Sequence, residues 1–121
     1  MISYFCTLDY TLLWGSDMEQ TQVIQRIKEL GQRILPEGSS LWLYGSRARG
    51  DARPDSDYDL LILLDKEKVT CKDYDYAYDL RLLGIDLNEE INPTVYSKRQ
   101  WNEWNYTPFY YNVEDDKVIL Q

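Results

Sequence analysis

The sequence predicts an α+β domain, a small β-sheet with helices packed on it. Three observations carry that prediction. Residues 41–44 and 60–64 are short apolar runs, the first closed by Gly45-Ser46 and the second by a charged segment, which suits strands. Apolar residues between 16 and 36, and again between 70 and 84, recur instead at helical spacing. Residues 91–97 return to a strand-like composition. At 121 residues the chain is one domain, and 44% hydrophobic content with 14% aromatic residues makes it globular rather than disordered.

Composition excludes several function classes. The formal net charge of −8 argues against broad binding to nucleic-acid backbones, which needs a basic surface. Two cysteines, Cys6 and Cys71, with no secretory signal read as reduced thiols in a cytoplasmic protein. The apolar N-terminus lacks a basic leading segment and carries Asp9, so it does not read as a signal peptide. No apolar run approaches a membrane span. Histidine is absent, so acid–base or metal chemistry falls to Asp, Glu, Lys, Tyr or Cys.

Taken in order, residues 1–14 show no clean alternation and are read as an N-terminal extension. Ser16 and Glu19 form a capping box that opens a helix. Val23, Ile24, Ile27, Leu30, Gly31 and Ile34 form its core stripe, and Pro36 ends it. The strand at 41–44 stops at Gly45-Ser46. A loop with three of the chain's seven arginines follows: Arg47, Arg49 and Arg53. The strand at 57–64 is apolar on both faces beyond Asp59, as in a strand covered on two sides. Residues 65–68 are a charged turn. Residues 70–84 form a helix with half-buried tyrosines, ended by Gly84. Pro93 marks the 91–97 strand as an edge or a bulge. Ser97 and Gln100 make a second capping box, ahead of Trp101 and Trp104. Thr107-Pro108 opens a further turn or helix, and residues 117–120 form a terminal strand. The aromatic density of 96–111 fits an interface or the closing of a thin core.

The chemistry concentrates between residues 44 and 64. Asp57 and Asp59 are two apart on a strand, so both carboxylates point one way, roughly 6.5 Å apart along the chain. Like charges so placed repel unless a cation lies between them, and Mg²⁺ with oxygen ligands is the natural occupant. Gly45-Ser46 lets backbone N–H groups and a hydroxyl approach a phosphate. The loop arginines suit bidentate phosphate contacts. They also suit ion pairs with Asp51, Asp55 or the strand acids, and Arg49 is the first expected to pair in that way.

The stretch GSRARGDARPDSDYDLLI resembles the signature of the minimal nucleotidyltransferases, a branch of the polymerase-β-type superfamily. The pattern is Gly-Ser, about ten residues, then Asp-x-Asp. It is met at Gly45, Ser46, Ala48, Arg49, Gly50, Ser56, Asp57, Asp59 and Leu60. The resemblance implies a polymerase-β-like nucleotidyltransferase fold with a mixed sheet. It implies catalytic and metal-binding roles for Asp57 and Asp59, with a third carboxylate from the neighbouring strand. Glu90 is the candidate and Glu89 the alternative, although relatives usually show a cleaner aspartate there. These acids would hold two Mg²⁺ ions. Gly45, Ser46, Arg47, Arg49 and Ser56 would bind the nucleotide, with ATP as substrate. The implied reaction is AMP transfer to a hydroxyl, a tyrosine of a HEPN toxin, which makes the protein an antitoxin. A catalytically weak module that neutralises its partner by contact is the alternative, favoured by the displaced third acid. A small-molecule transferase of the aminoglycoside-modifying kind needs a substrate domain that this length supplies only through a homo-oligomer.

Overall fold

The structure, a computed structural model, describes residues 19–121. The 1–14 extension and the Ser16 cap lie outside the described residues. Helix α1 runs Gln20–Ile34, with Glu19 as its N-cap. The Glu19 N–H donates to the Gln22 side chain at 3.3 Å. Val23, Ile27 and Gly31 form its buried stripe.

Four strands form one sheet in the order β3-β2-β1-β4. Strand β1 (Ser40–Tyr44) pairs antiparallel with β2 (Tyr58–Leu64), and Tyr44 stands opposite Asp59. Strand β2 pairs parallel with β3 (Ile91–Ser97), which places Asp59 beside Asn92. The short β4 (Val118–Ile119) runs antiparallel to β1 on its other side. The sheet is therefore mixed, as the fold class requires. Strand β2 is buried on both faces, which explains its unbroken apolar run. Strand β3 is an edge. The Tyr58 N–H donates to the Glu90 carbonyl, so alternation turns the backbone groups of Ile91, Pro93 and Val95 outward. Pro93 thus lacks an N–H where no ladder bond is needed.

The two faces of the sheet differ. Leu41, Leu43, Tyr58, Leu60, Ile62, Leu64, Ile91 and Val95 pack with α1 and with α3 (Tyr74–Leu87). Trp42, Tyr44, Leu61, Leu63 and Tyr96 face α4 (Lys98–Glu103) and α5 (Pro108–Asp116). Trp101 is the hub of that second layer. Its ring lies 4.9 Å from Tyr110 and edge-on to Phe109 at 5.7 Å, and its N–H donates to Glu114 at 3.0 Å. Trp101, Tyr96, Phe109 and Tyr110 therefore close a thin core, while Tyr106 and Tyr111 face solvent. The Ser97 capping box opens α4, and Thr107 with Pro108 opens α5. None of the described helices is long and apolar enough to cross a membrane.

Helix α3 corrects two expectations. It is led in by a short 3₁₀ turn, Cys71–Asp73, and it runs through Gly84 to Leu87. The stop is Asn88, which takes the left-handed conformation (φ 57°) that suits an Asn cap. Gly84 matters for a different reason. A Cβ there would lie 2.7 Å from the Glu89 carbonyl oxygen and 3.1 Å from Ile91. The helix can approach the start of β3 only because no side chain intervenes. Tyr74 and Tyr78 point to solvent, and Ala77, Leu80 and Leu83 make the buried face. We expect Gly84→Ala to lower stability by about 1–2 kcal/mol despite alanine's better helix propensity. A urea midpoint above that of the wild type would show that the approach is not tight.

Candidate active site

Asp59 lies on β2 and Asp57 just before it, so both follow the odd-numbered face of the strand that carries Leu61 and Leu63. Tyr58 between them is fully buried on the opposite face, which fixes the direction of both acids. The aromatic layer covers Leu61 and Leu63, and Asp57 is left exposed. Gly45 ends β1 with φ +79° and caps the one-turn helix α2 (Ser46–Arg49). A Cβ on Gly45 would lie 2.6 Å from Asp59 Oδ2. The Gly-Ser bend and the acid pair thus share one corner of the sheet, and only glycine leaves that corner open.

The loop arginines divide. Arg47 turns toward the layer of α1 and α3. Its guanidinium donates to the Ser56 and Pro54 carbonyls at 3.0 and 3.2 Å and to Gln20 Oε1 at 3.2 Å. It also stacks 4.4 Å from the Tyr58 ring centre and lies 4.0 Å from Glu89. Arg47 is therefore not brought to the acids and serves to pin the 50–56 loop. The Ser56 hydroxyl accepts from the Arg53 N–H at 2.8 Å, within the same loop. Arg49 is exposed on the other side of α2 and pairs with Asp51 at 3.2 Å and Asp116 at 2.8 Å. The Asp51 pair is the kind that the sequence suggests, and Asp116 of α5 is an addition. Ser46 opens α2 beside the bend, where its carbonyl accepts from the Gly50 and Asp51 N–H groups.

The neighbouring strand brings Asn92, not a glutamate, to the pair. In the parallel register Asn92 stands beside Asp59, and its Nδ2 donates to Asp57 Oδ2 at 2.8 Å. Glu90 lies ahead of the strand, exposed, and its backbone carbonyl takes the Tyr58 N–H. With Glu89, Gly84, Ile85 and Asn88 it lines a cavity of about 330 Å³ at the C-terminal end of α3. Glu89 stands beside Arg47. Among the described residues no three acidic or thiol side chains converge, so neither glutamate joins Asp57 and Asp59. The signal for Asn92 was present in the sequence. Residues 91–97 alternate Ile, Pro, Val on the buried side with Asn, Thr, Tyr on the other, and the site lies on that second side.

Burial first, and then the charge of Asp57, hold the Asp59 carboxyl above its ordinary value of 3.8, against the pull of Asn92 and Arg49. Burial and the Asp59 charge also push the Tyr44 hydroxyl up, partly offset by a hydrogen bond with Thr94. Two repelling, acceptor-only carboxylates on a partly buried face form a donor set that fits a hard divalent cation.

A mixed four-stranded sheet with a Gly-Ser bend against an Asp-x-Asp strand defines the nucleotidyltransferase class. The chain belongs to the nucleotidyltransferase domain family, whose model matches residues 21–119. Its fold is similar to that of a solved toxin–antitoxin with AMP-PNP, at a TM-score of 0.57 and 16% identity over 81% of this chain and 72% of that one. A tri-AMPylated Shewanella oneidensis HEPN toxin in complex with an MNT antitoxin gives 0.53, at 15% identity over 85% and 72%. A mutant MntA–HpeT toxin–antitoxin gives 0.52, at 12% identity over 86% and 73%. No curated protein sequence matches the chain.

The geometry carries two expected outcomes. Asp59 favours the fold while protonated; that contribution is present below pH 3.8 and is lost as pH rises through the raised value. At neutral pH in EDTA, Asp59→Asn should therefore raise the melting temperature by roughly 2–5 °C. The gap between variant and wild type should open as pH climbs from acid, and a gap that stayed constant with pH would count against this origin. Arg47→Ala should cost about 2–4 kcal/mol of stability, read by chemical denaturation, through the lost loop hydrogen bonds. An unchanged denaturation curve with weaker nucleotide binding would instead make Arg47 a ligand contact.

Proposed function

We propose that this protein binds a magnesium-loaded nucleoside triphosphate, ATP first, between Gly45-Ser46 and Asp57-Asp59. It transfers the nucleoside monophosphate to a hydroxyl, a tyrosine of a HEPN toxin, and so acts as a cytoplasmic antitoxin. The observation that carries the reading is the 2.6 Å approach of the Gly45 position to Asp59 Oδ2, which joins the phosphate-type bend to the acid pair. The neighbours add support: one is a toxin–antitoxin with AMP-PNP, and another contains an AMPylated HEPN toxin.

Each residue then has a role. Gly45 keeps the corner free of a side chain, and Ser46 offers its hydroxyl and the first N–H groups of α2 to phosphate oxygens. Asp57 and Asp59 hold the metal. When bound, magnesium offsets the triphosphate charge and acidifies the attacking hydroxyl. The acceptor oxygen bonds to the α-phosphorus, the bond to the β-phosphate breaks, and pyrophosphate leaves while the hydroxyl proton passes to water. Arg49 is exposed and within the field of Asp59, and it offsets charge on the leaving pyrophosphate. With Asn92 beside them in place of a third acid, two carboxylates suit one ion better than two.

Asn92 also favours the second reading, a catalytically weak module that neutralises its partner by direct contact. One experiment separates them. The protein and the product of its genomic neighbour are incubated with labelled ATP and Mg²⁺, alongside Asp57→Asn and Asp59→Asn. Transfer to the neighbour that falls by about 100-fold or more in both variants supports the enzyme. A stable complex with no label transfer supports the module, and absence of Mg²⁺-dependent ATP binding by calorimetry removes the enzyme and favours the module.

A further inference from the structure

We propose that the side-chain amide of Asn92 is a built-in counter-charge for Asp57 and Asp59. It holds the pair together in the metal-free protein and competes with a divalent cation for the same oxygens. The inference rests on the reading that these acids bind such an ion. It concerns what the site does before the ion arrives.

The geometry is specific. Asn92 Nδ2 lies 2.8 Å from Asp57 Oδ2. An ionised carboxylate only accepts hydrogen bonds, so the amide must present its NH₂ group to the pair. Asn92 is also the strand partner of Asp59, so its side chain stands beside both acids. Arg47, a nearby source of positive charge, is spent on the opposite face. Arg49 is already shared between Asp51 and Asp116. Among the described residues, the amide hydrogens of Asn92 are thus the positive partial charge that touches the pair.

A donor cannot coordinate a cation. An ion seated between Asp57 and Asp59 takes lone pairs that the NH₂ group now uses. The amide then withdraws from Asp57 Oδ2. The protein loses a hydrogen bond on binding metal, and Asn92 weakens the site for the ion while steadying it without one. An aspartate at 92 would reverse both effects, because it adds a third negative charge and removes the competing donor.

The test uses the full chain, with Mn²⁺ calorimetry in the absence of nucleotide and melting temperatures in EDTA at neutral pH. Asn92→Ala should lower the metal-free melting temperature by roughly 2–5 °C and bind Mn²⁺ at least as tightly as the wild type. Asn92→Asp should melt lower still without metal and bind Mn²⁺ about tenfold or more tightly. In an Asp57→Asn background the effect of Asn92→Ala on melting should shrink, because the partner charge is gone. Weaker Mn²⁺ binding by Asn92→Ala would make the amide a metal ligand and overturn the inference. So would an unchanged metal-free melting temperature. If wild type binds ATP with Mg²⁺ and either of these results appears, the inference falls alone. If no variant binds Mn²⁺, the inference falls, and the nucleotidyl-transfer reading falls with it only where the wild type also fails to bind ATP with Mg²⁺.

Discussion

Two carboxylates on one face of a buried strand are an unfavourable arrangement, and much of the architecture is what makes it tolerable. The strand cannot relieve the repulsion by turning. Tyr58, Leu60 and Ile62 lock one face into the core beneath α1 and α3, and Leu61 and Leu63 lock the other under Trp101 and Val113. A slip of one residue would turn both acids into the layer of α1 and α3, so apolar burial enforces the position of the charges. The surroundings then supply what compensation they can. Asn92 donates from β3, and the Arg49 guanidinium acts from across the bend. The Asp59 carboxyl remains above its ordinary value even so, mainly because burial disfavours its charge.

The second layer decides how much of that face stays open. Trp101, Phe109 and Tyr110 cover the lower part of the sheet, and Phe109 meets Tyr44 edge-on at 5.7 Å. Asp116 at the end of α5 then reaches Arg49 on α2 at 2.8 Å. An exposed ion pair adds little stability. Its consequence is geometric, since it ties the helix beside the Gly-Ser bend to the layer that borders the opening.

What was legible in the sequence was local. A Gly-Ser bend and a two-residue acid spacing express their geometry within a few residues, and the unbroken run of β2 announces a strand covered on both sides. The family signature and the α+β architecture follow from the same stretch. Longer-range relations were harder to read. Which residue of β3 meets Asp59 depends on the register of a parallel pair joined through α3. Glu90 attracted attention as a charge, while the uncharged Asn92 holds the place. Arg47 and Arg49 look equivalent by residue type, yet two residues on a helical turn differ by about 200° and so point to opposite sides. Gly84 read as a helix stop because glycine often is one. Its real cause, the close approach of Glu89 and Ile91, is a tertiary contact with no local mark.

The charge of the whole molecule bears on how a nucleotide would reach this corner. The chain carries a net −8, and the positive groups nearest the bend are already partnered. A bare triphosphate would meet Asp57 and Asp59 as like charges, and among the described residues an amide and a shared guanidinium soften the approach. A triphosphate that arrives with its divalent ion instead brings the charge that the pair lacks. On the proposed function, ion and nucleotide are then best regarded as a single ligand. On that reading the bend would meet the phosphate oxygens and the acids would meet the metal.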